Sequence, residues 1–108
     1  MSIREQDKIT GLGAVKGTAT GRAVDVNDST FKEGDVLVAT MTTPDHLPKM
    51  MKASAFITEK GSVTCHAAIV AREMRKPCIV RIGSDVWDVI NQVVTVSVED
   101  YKENSITW

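Results

Sequence analysis

The sequence predicts an α/β domain with helices packed on a small strand barrel or sandwich, and three observations predict it. Val36–Ala39 and Cys78–Val80 are short apolar runs of the kind that forms buried strands. Val93–Val98 alternates Val-Thr-Val-Ser-Val, as a half-buried strand does. Between these lies Cys65–Arg75, rich in alanine and of strong helix propensity. Strand and helix patterns therefore interleave, with no internal repeat and no low-complexity segment. The 108 residues, 43% hydrophobic and 25% charged, match one globular domain spanning 1–108.

Taken in order, Met1–Thr10 is polar and aperiodic, and is expected to be a loose lead-in. Gly11, Gly13 and Gly17 follow at a spacing that matches neither G-x-G-x-x-G nor G-x-x-x-x-G-K-[ST], so they are read as turn glycines. Gly21–Val26 reads as a strand ended by the turn Asn27-Asp28-Ser29, and Val36–Ala39 as the next strand. A helix is expected up to about Lys52, with Asp45 as N-cap and Leu47, Met50 and Met51 as its apolar side. Pro48 is tolerated because it falls in the first turn. Ala53–Thr58 is a third strand, leading into a glycine turn at Gly61.

The next helix is expected to begin at Thr64 or Cys65, with Ile69, Val70 and Met74 on its apolar flank, and to stop near Arg75 before Pro77. Ser84 is expected to cap a short helix over Asp85–Asn91, and Ile106–Trp108 to add an edge strand.

Charge and cysteine content narrow the function classes. Thirteen basic and fourteen acidic side chains give a net charge of −1 without a long block of either sign, so no nucleic-acid partner is expected. Arg72, Arg75, Lys76 and Arg81 cluster, and are read as a solvated face near a helix C-terminus. No apolar run is long enough to suggest a membrane span or a leader, and two cysteines do not make a disulfide framework. The cytoplasm is the expected compartment.

The stretch that carries chemistry is Lys60-Gly61-Ser62-Val63-Thr64-Cys65-His66. It places an imidazole where a helix begins. Unpaired N–H groups and the partial positive charge at such an end favour an anion and disfavour imidazolium. A phosphoryl acceptor needs a neutral ring on an exposed turn with donors close by. His66 fits this description, with Thr64 and Ser62 hydroxyls, Cys65 and the Gly61 turn as candidate phosphate contacts. Two rival chemistries fit less well. Cys65 and His66 are adjacent, and neighbouring side chains on a helix diverge, so a thiol–imidazole pair is not expected. Cys65, His66, Cys78 and His46 lack C-x-x-C or H-x-x-x-H spacing, so no metal site is expected.

From Thr64 to Glu73 the chain resembles the mobile phosphohistidine domain of phosphoenolpyruvate-utilising enzymes, such as phosphoenolpyruvate synthase and pyruvate phosphate dikinase. Gly11–Ala14 with Gly17 and Gly21–Ala23 is similar to the family's opening, Gly34–Val38 to its second strand, Met41–Asp45 to the turn that follows, and Pro77–Val80 to the strand after the active helix. The resemblance implies a swivelling β/β/α domain in which His66 accepts a phosphoryl group at one site and delivers it at another. It also implies partner domains, in the same or separate chains, that bind nucleotide and phosphoenolpyruvate or pyruvate. Mg²⁺ and ATP or phosphoenolpyruvate are expected on those partners, and no cofactor on this domain. Lys60, Ser62 and Arg81 depart from the family pattern, where an acidic residue and two glycines are usual. An alternative reading is a protein-interaction module that keeps the fold without transferring phosphate.

Overall fold

The apolar runs are buried on both faces, and that requirement shapes the architecture. A computed structural model describes residues 8–99 and 103–108. Seven strands are present among them: β1 (Lys8–Val15), β2 (Gly17–Asp25), β3 (Val36–Ala39), β4 (Ala55–Thr58), β5 (Cys78–Val80), β6 (Val93–Val98) and β7 (Glu103–Thr107). They close into a barrel in the order β1-β5-β4-β3-β2-β6-β7. Strands β2 to β5 run parallel to their neighbours, while β1, β6 and β7 complete the ring by antiparallel pairing.

Alternation along the central strands separates two cores. Val36 and Val38 of β3, Ala55 and Ile57 of β4 and Ile79 of β5 join Val94, Val96 and Ile106 in one cluster within the barrel. Leu37, Ala39, Phe56, Cys78 and Val80, one position out of phase, form a second cluster with Met50, Ala67, Ala68 and Ala71 of the two α-helices. Strands sandwiched in this way read as continuous apolar runs, because neither face meets water. The expected α/β architecture is thus present, in its barrel form.

The helices are α1 (Leu47–Lys52), preceded by a 3₁₀ turn at Pro44–His46, and α2 (His66–Met74). Ser84–Val89 forms a 3₁₀ helix with Gly83 at its cap position, in place of the helix capped by Ser84 that the sequence suggests. The entry to α1 is capped by Thr43 with His46 rather than by Asp45: His46 Nδ1 accepts from the Thr43 N–H at 3.0 Å. Only Met50 of its expected apolar side is buried, and Met51 is 67% exposed, because so short a helix turns just one residue fully inward. On α2 the buried stripe is Ala67, Ala68, Val70 and Ala71, while Ile69 is 49% exposed. The small alanines let the helix lie close to the sheet and leave Ile69 on its outer side.

Three further expectations are corrected. The lead-in gives way to β1 at Lys8, so Lys8–Thr10 is strand, and Met1–Asp7 lies outside the described residues. Gly11, Gly13 and Gly17 sit within strands instead of turns. A Cβ on Gly11 would lie 2.6 Å from Ile79 Cγ2, so glycine here permits close packing of the barrel wall. Lastly, the C-terminal strand is no edge: β7 pairs with both β1 and β6 and closes the ring.

Gly21 illustrates how tightly the ring closes. A Cβ at this position would collide with the carbonyl oxygen of Gly34, ahead of β3. Gly21→Ala is therefore expected to cost about 1–3 kcal/mol of stability, read from the midpoint of urea unfolding.

Candidate functional site

Two adjacent parallel strands deliver the site. β3 and β4 pair in register from Val36↔Ala55 to Ala39↔Thr58, so their carboxyl ends emerge side by side. The pairing continues beyond the strands, with Glu59 N–H donating to Ala39 O at 2.8 Å and Lys60 N–H to Thr40 O at 3.1 Å. Thr42 follows β3, and the Gly61–Cys65 turn and α2 follow β4.

Here the two connections meet. Thr42 Oγ1 lies 2.7 Å from His66 Nδ1, and Thr42 is only 7% exposed. His66 is the first residue of α2 and is partly exposed. When the neutral ring carries its proton on Nδ1, that N–H donates to the Thr42 hydroxyl oxygen and leaves the lone pair on Nε2. A recess of about 10 Å³, lined by Met41, Thr42, Thr58, Gly61 and Cys65, adjoins the ring and has room for roughly one water molecule. It lies beside the imidazole and cannot enclose a substrate.

The turn ahead of the ring is held by a dense set of bonds. Gly61 adopts φ +118°, a conformation L-residues rarely take, and Cys65 Sγ would stand 3.1 Å from a Cβ placed there. Buried Thr58 donates its hydroxyl to Lys60 O at 2.6 Å. The Ser62 hydroxyl accepts from Thr64 N–H at 3.3 Å and lies 3.1 Å from Thr64 Oγ1, while Cys65 N–H donates to Ser62 O at 3.1 Å. Thr64 is exposed. Cys65 occupies the N-cap without a side-chain cap bond, so its thiol leaves the leading N–H groups of α2 uncovered.

All five residues singled out from the sequence, Gly61, Ser62, Thr64, Cys65 and His66, thus belong to this turn and helix start. Sequence reasoning missed Thr42. The signal was its place just beyond a buried strand, in the Met41–Asp45 stretch, but only the parallel pairing of β3 with β4 brings it to the ring.

The basic cluster also differs from the expected solvated face. Arg72 Nη2 donates to Val63 O at 2.6 Å and Arg81 Nε to Gly61 O at 3.2 Å, so both guanidiniums grip the turn. Lys76 Nζ donates to Met50 O and Met51 O at 2.9 and 2.8 Å, near the C-terminal end of α1. Partial burial lowers the Lys76 pKa from its ordinary value, with Glu33 opposing. His46, bonded to Thr43, lines a separate groove with Asp25, Thr40 and Trp87. Among the described residues no group of three or more His, Cys, Asp or Glu is placed to hold a metal ion. No helix among them is long and apolar enough to cross a membrane.

The class of domain observed is thus a closed barrel that presents a partly exposed histidine at a helix start, with its Nδ1 against Thr42 Oγ1. Comparison with known proteins gives this class its family. A profile for the mobile domain of PEP-utilising enzymes matches residues 31–100. The chain is 46% identical over 94 residues to a probable phosphoenolpyruvate synthase of Methanothermobacter thermautotrophicus, covering 82% of this chain and 14% of that protein. It is 49% identical over 76 residues to the phosphoenolpyruvate synthase of Pyrococcus furiosus, covering 67% of this chain and 9% of that protein. With the phosphoenolpyruvate synthase of Deinococcus radiodurans the identity is 41% over 107 residues, covering 86% of this chain and 14% of that protein. The chain belongs to the PEP-utilising enzyme mobile-domain family, and spans only a small part of the length of these relatives.

The two thiols are expected to behave differently. Burial pushes the Cys78 thiol up to about 12, with Cys65 adding to the rise and Arg72 opposing it. At pH 8 a thiol reagent should label partly exposed Cys65 in the folded protein and reach Cys78 only after denaturant is added. Because the folded thiol holds its proton above the pH at which the unfolded one loses it, stability should fall as pH rises from about 9 towards 12. Cys78→Ala should flatten that decline, as measured by urea unfolding at stepped pH.

Proposed function

We propose that the domain is a phosphocarrier: neutral His66 accepts a phosphoryl group at one partner and passes it on at another. The observation that carries this reading is the 2.7 Å contact between Thr42 Oγ1 and His66 Nδ1, which supports Nε2 as the nucleophile when the ring proton sits on Nδ1. The Nε2 lone pair forms an N–P bond while the donor's P–O bond breaks and the leaving oxygen takes its electron pair. Nδ1 keeps its proton against Thr42. The resulting phosphoimidazolium is a reactive phosphoryl donor, and transfer to an acceptor breaks the N–P bond and returns the pair to Nε2.

The helix start supports the same reading from the anion's side. Uncapped N–H groups of α2 and the hydroxyls of Thr64 and Ser62 provide donors for phosphoryl oxygens, with the Gly61 turn and Cys65 beside them. In this reading Mg²⁺ and ATP or phosphoenolpyruvate are held by a nucleotide-binding domain and a phosphoenolpyruvate/pyruvate-binding domain, in the same or separate chains. Relatives named as phosphoenolpyruvate synthases are several times longer than this chain, which leaves ample length for such domains. The free thiols Cys65 and Cys78 are consistent with the cytoplasm as its compartment.

Incubation with cognate partner domains and labelled phosphoenolpyruvate or ATP should give an acid-labile, base-stable phosphoprotein whose label maps to His66. His66→Ala should abolish it; undiminished labelling of this variant would refute the assignment. Thr42→Val, which removes the partner of Nδ1, should slow labelling by about tenfold.

A further inference from the structure

Lys60 and Arg81, set aside above as departures from the family pattern, are brought together by the fold. Gly61 lies between them in space: it follows Lys60 in the chain, and its carbonyl oxygen accepts from Arg81 Nε at 3.2 Å. Lys60, Gly61 and His66 line the same recess. Both basic residues are exposed, and neither joins an ion pair among the described residues. Glu59, next to Lys60 in sequence, accepts from Trp87 Nε1 at 2.9 Å and from Thr40 Oγ1 at 3.3 Å.

Arg81 is held at some conformational expense. Its φ of 55° lies in the left-handed region, which favours glycine over any long side chain. The position follows directly on β5, and Ile82 N–H donates to Thr58 O at 3.1 Å, so the backbone there is tied to the base of the same turn. A residue that would sit more easily as glycine is instead an arginine whose side chain reaches back to the turn carrying the histidine.

We infer that Lys60 and Arg81 form a cationic rim beside His66 that attracts the dianionic phosphoryl donor and stabilises the phosphorylated histidine. Both act by charge, Arg81 from a place fixed by its bond to Gly61 O. The inference rests on the carrier reading and assigns it a determinant in this chain's own residues. Two cations within a Debye length of a dianion strengthen both its approach and its retention, and added salt weakens both.

The test needs no partner protein. Phosphoramidate, a small anionic phosphoryl donor, reacts with neutral imidazole: Nε2 forms the N–P bond, the phosphoramidate P–N bond breaks, and ammonia departs. The full chain is treated with phosphoramidate at low salt, and labelling at His66 is followed by ³¹P NMR and peptide mapping. Lys60→Glu and Arg81→Gly should each slow labelling by about two- to fivefold, and the differences should largely vanish at about 0.5 M salt. Arg81→Lys, which retains the charge, should label nearly as fast as the native chain. Arg81→Gly relieves the left-handed backbone and should keep the melting temperature, so its loss of rate cannot be laid to unfolding. If the native chain labels at His66 but the variants match its rate at every salt concentration, the rim is refuted and the carrier reading stands. If His66 is not labelled in the native chain, the carrier reading falls and this inference falls with it.

Discussion

A single hydrogen bond between the segments that follow two neighbouring strands fixes the orientation of the His66 ring. Thr42 follows β3 and His66 follows β4 by way of one turn, and their 2.7 Å contact exists because these strands are parallel neighbours in matched register. A slip of one residue would exchange the faces of β3 and β4. It would bring Leu37 and Phe56 into the barrel and move the two site residues apart. The two-sided burial of these strands is therefore also what holds the site together.

The rest of the molecule braces that arrangement. Alanines on α2 let the helix lie against β4 and β5, which carries its first residue to the edge of the barrel beside Thr42. Arg72 and Arg81 hold the carbonyls of Val63 and Gly61, so the loop entering the helix is tied from both sides. Lys49 Nζ donates to Val26 O at 2.7 Å and Lys76 Nζ to Met50 O and Met51 O, fastening α1 to the barrel and to the segment after α2. Arg72, Lys76 and Arg81, read from the sequence as a solvated face, act here as donors to backbone carbonyls.

How much of this could be read in the sequence depends on the range of the interaction. β3, β5 and β6 were legible because burial on two faces or one leaves a local pattern, and the end of α2 because Pro77 follows the left-handed Arg75. β1 was hidden by Gly11 and Gly13, both within the strand, Gly11 serving the close approach of Ile79 and Ile82 and not a turn. The Gly61–His66 turn announced itself through glycine, hydroxyl and imidazole in succession, and family resemblance gave it a role. Thr42 was invisible as a partner, since the 24 positions separating it from His66 are bridged only by strand pairing. Arg81 was likewise read only as part of a solvated basic cluster and as a departure from the family pattern until the fold placed it on Gly61.

In the carrier reading Thr42 holds the neutral ring with its proton on Nδ1, leaving the Nε2 lone pair free for phosphorus. Long-range ¹H–¹⁵N correlation of the uniformly ¹⁵N-labelled protein, at a pH where the His66 ring is neutral, reads the tautomer directly. A protonated Nδ1 and an unprotonated Nε2 are expected in the native chain, with Thr42→Val shifting the ring towards a mixture of the two forms. A neutral His66 protonated on Nε2 in the native chain would contradict that reading.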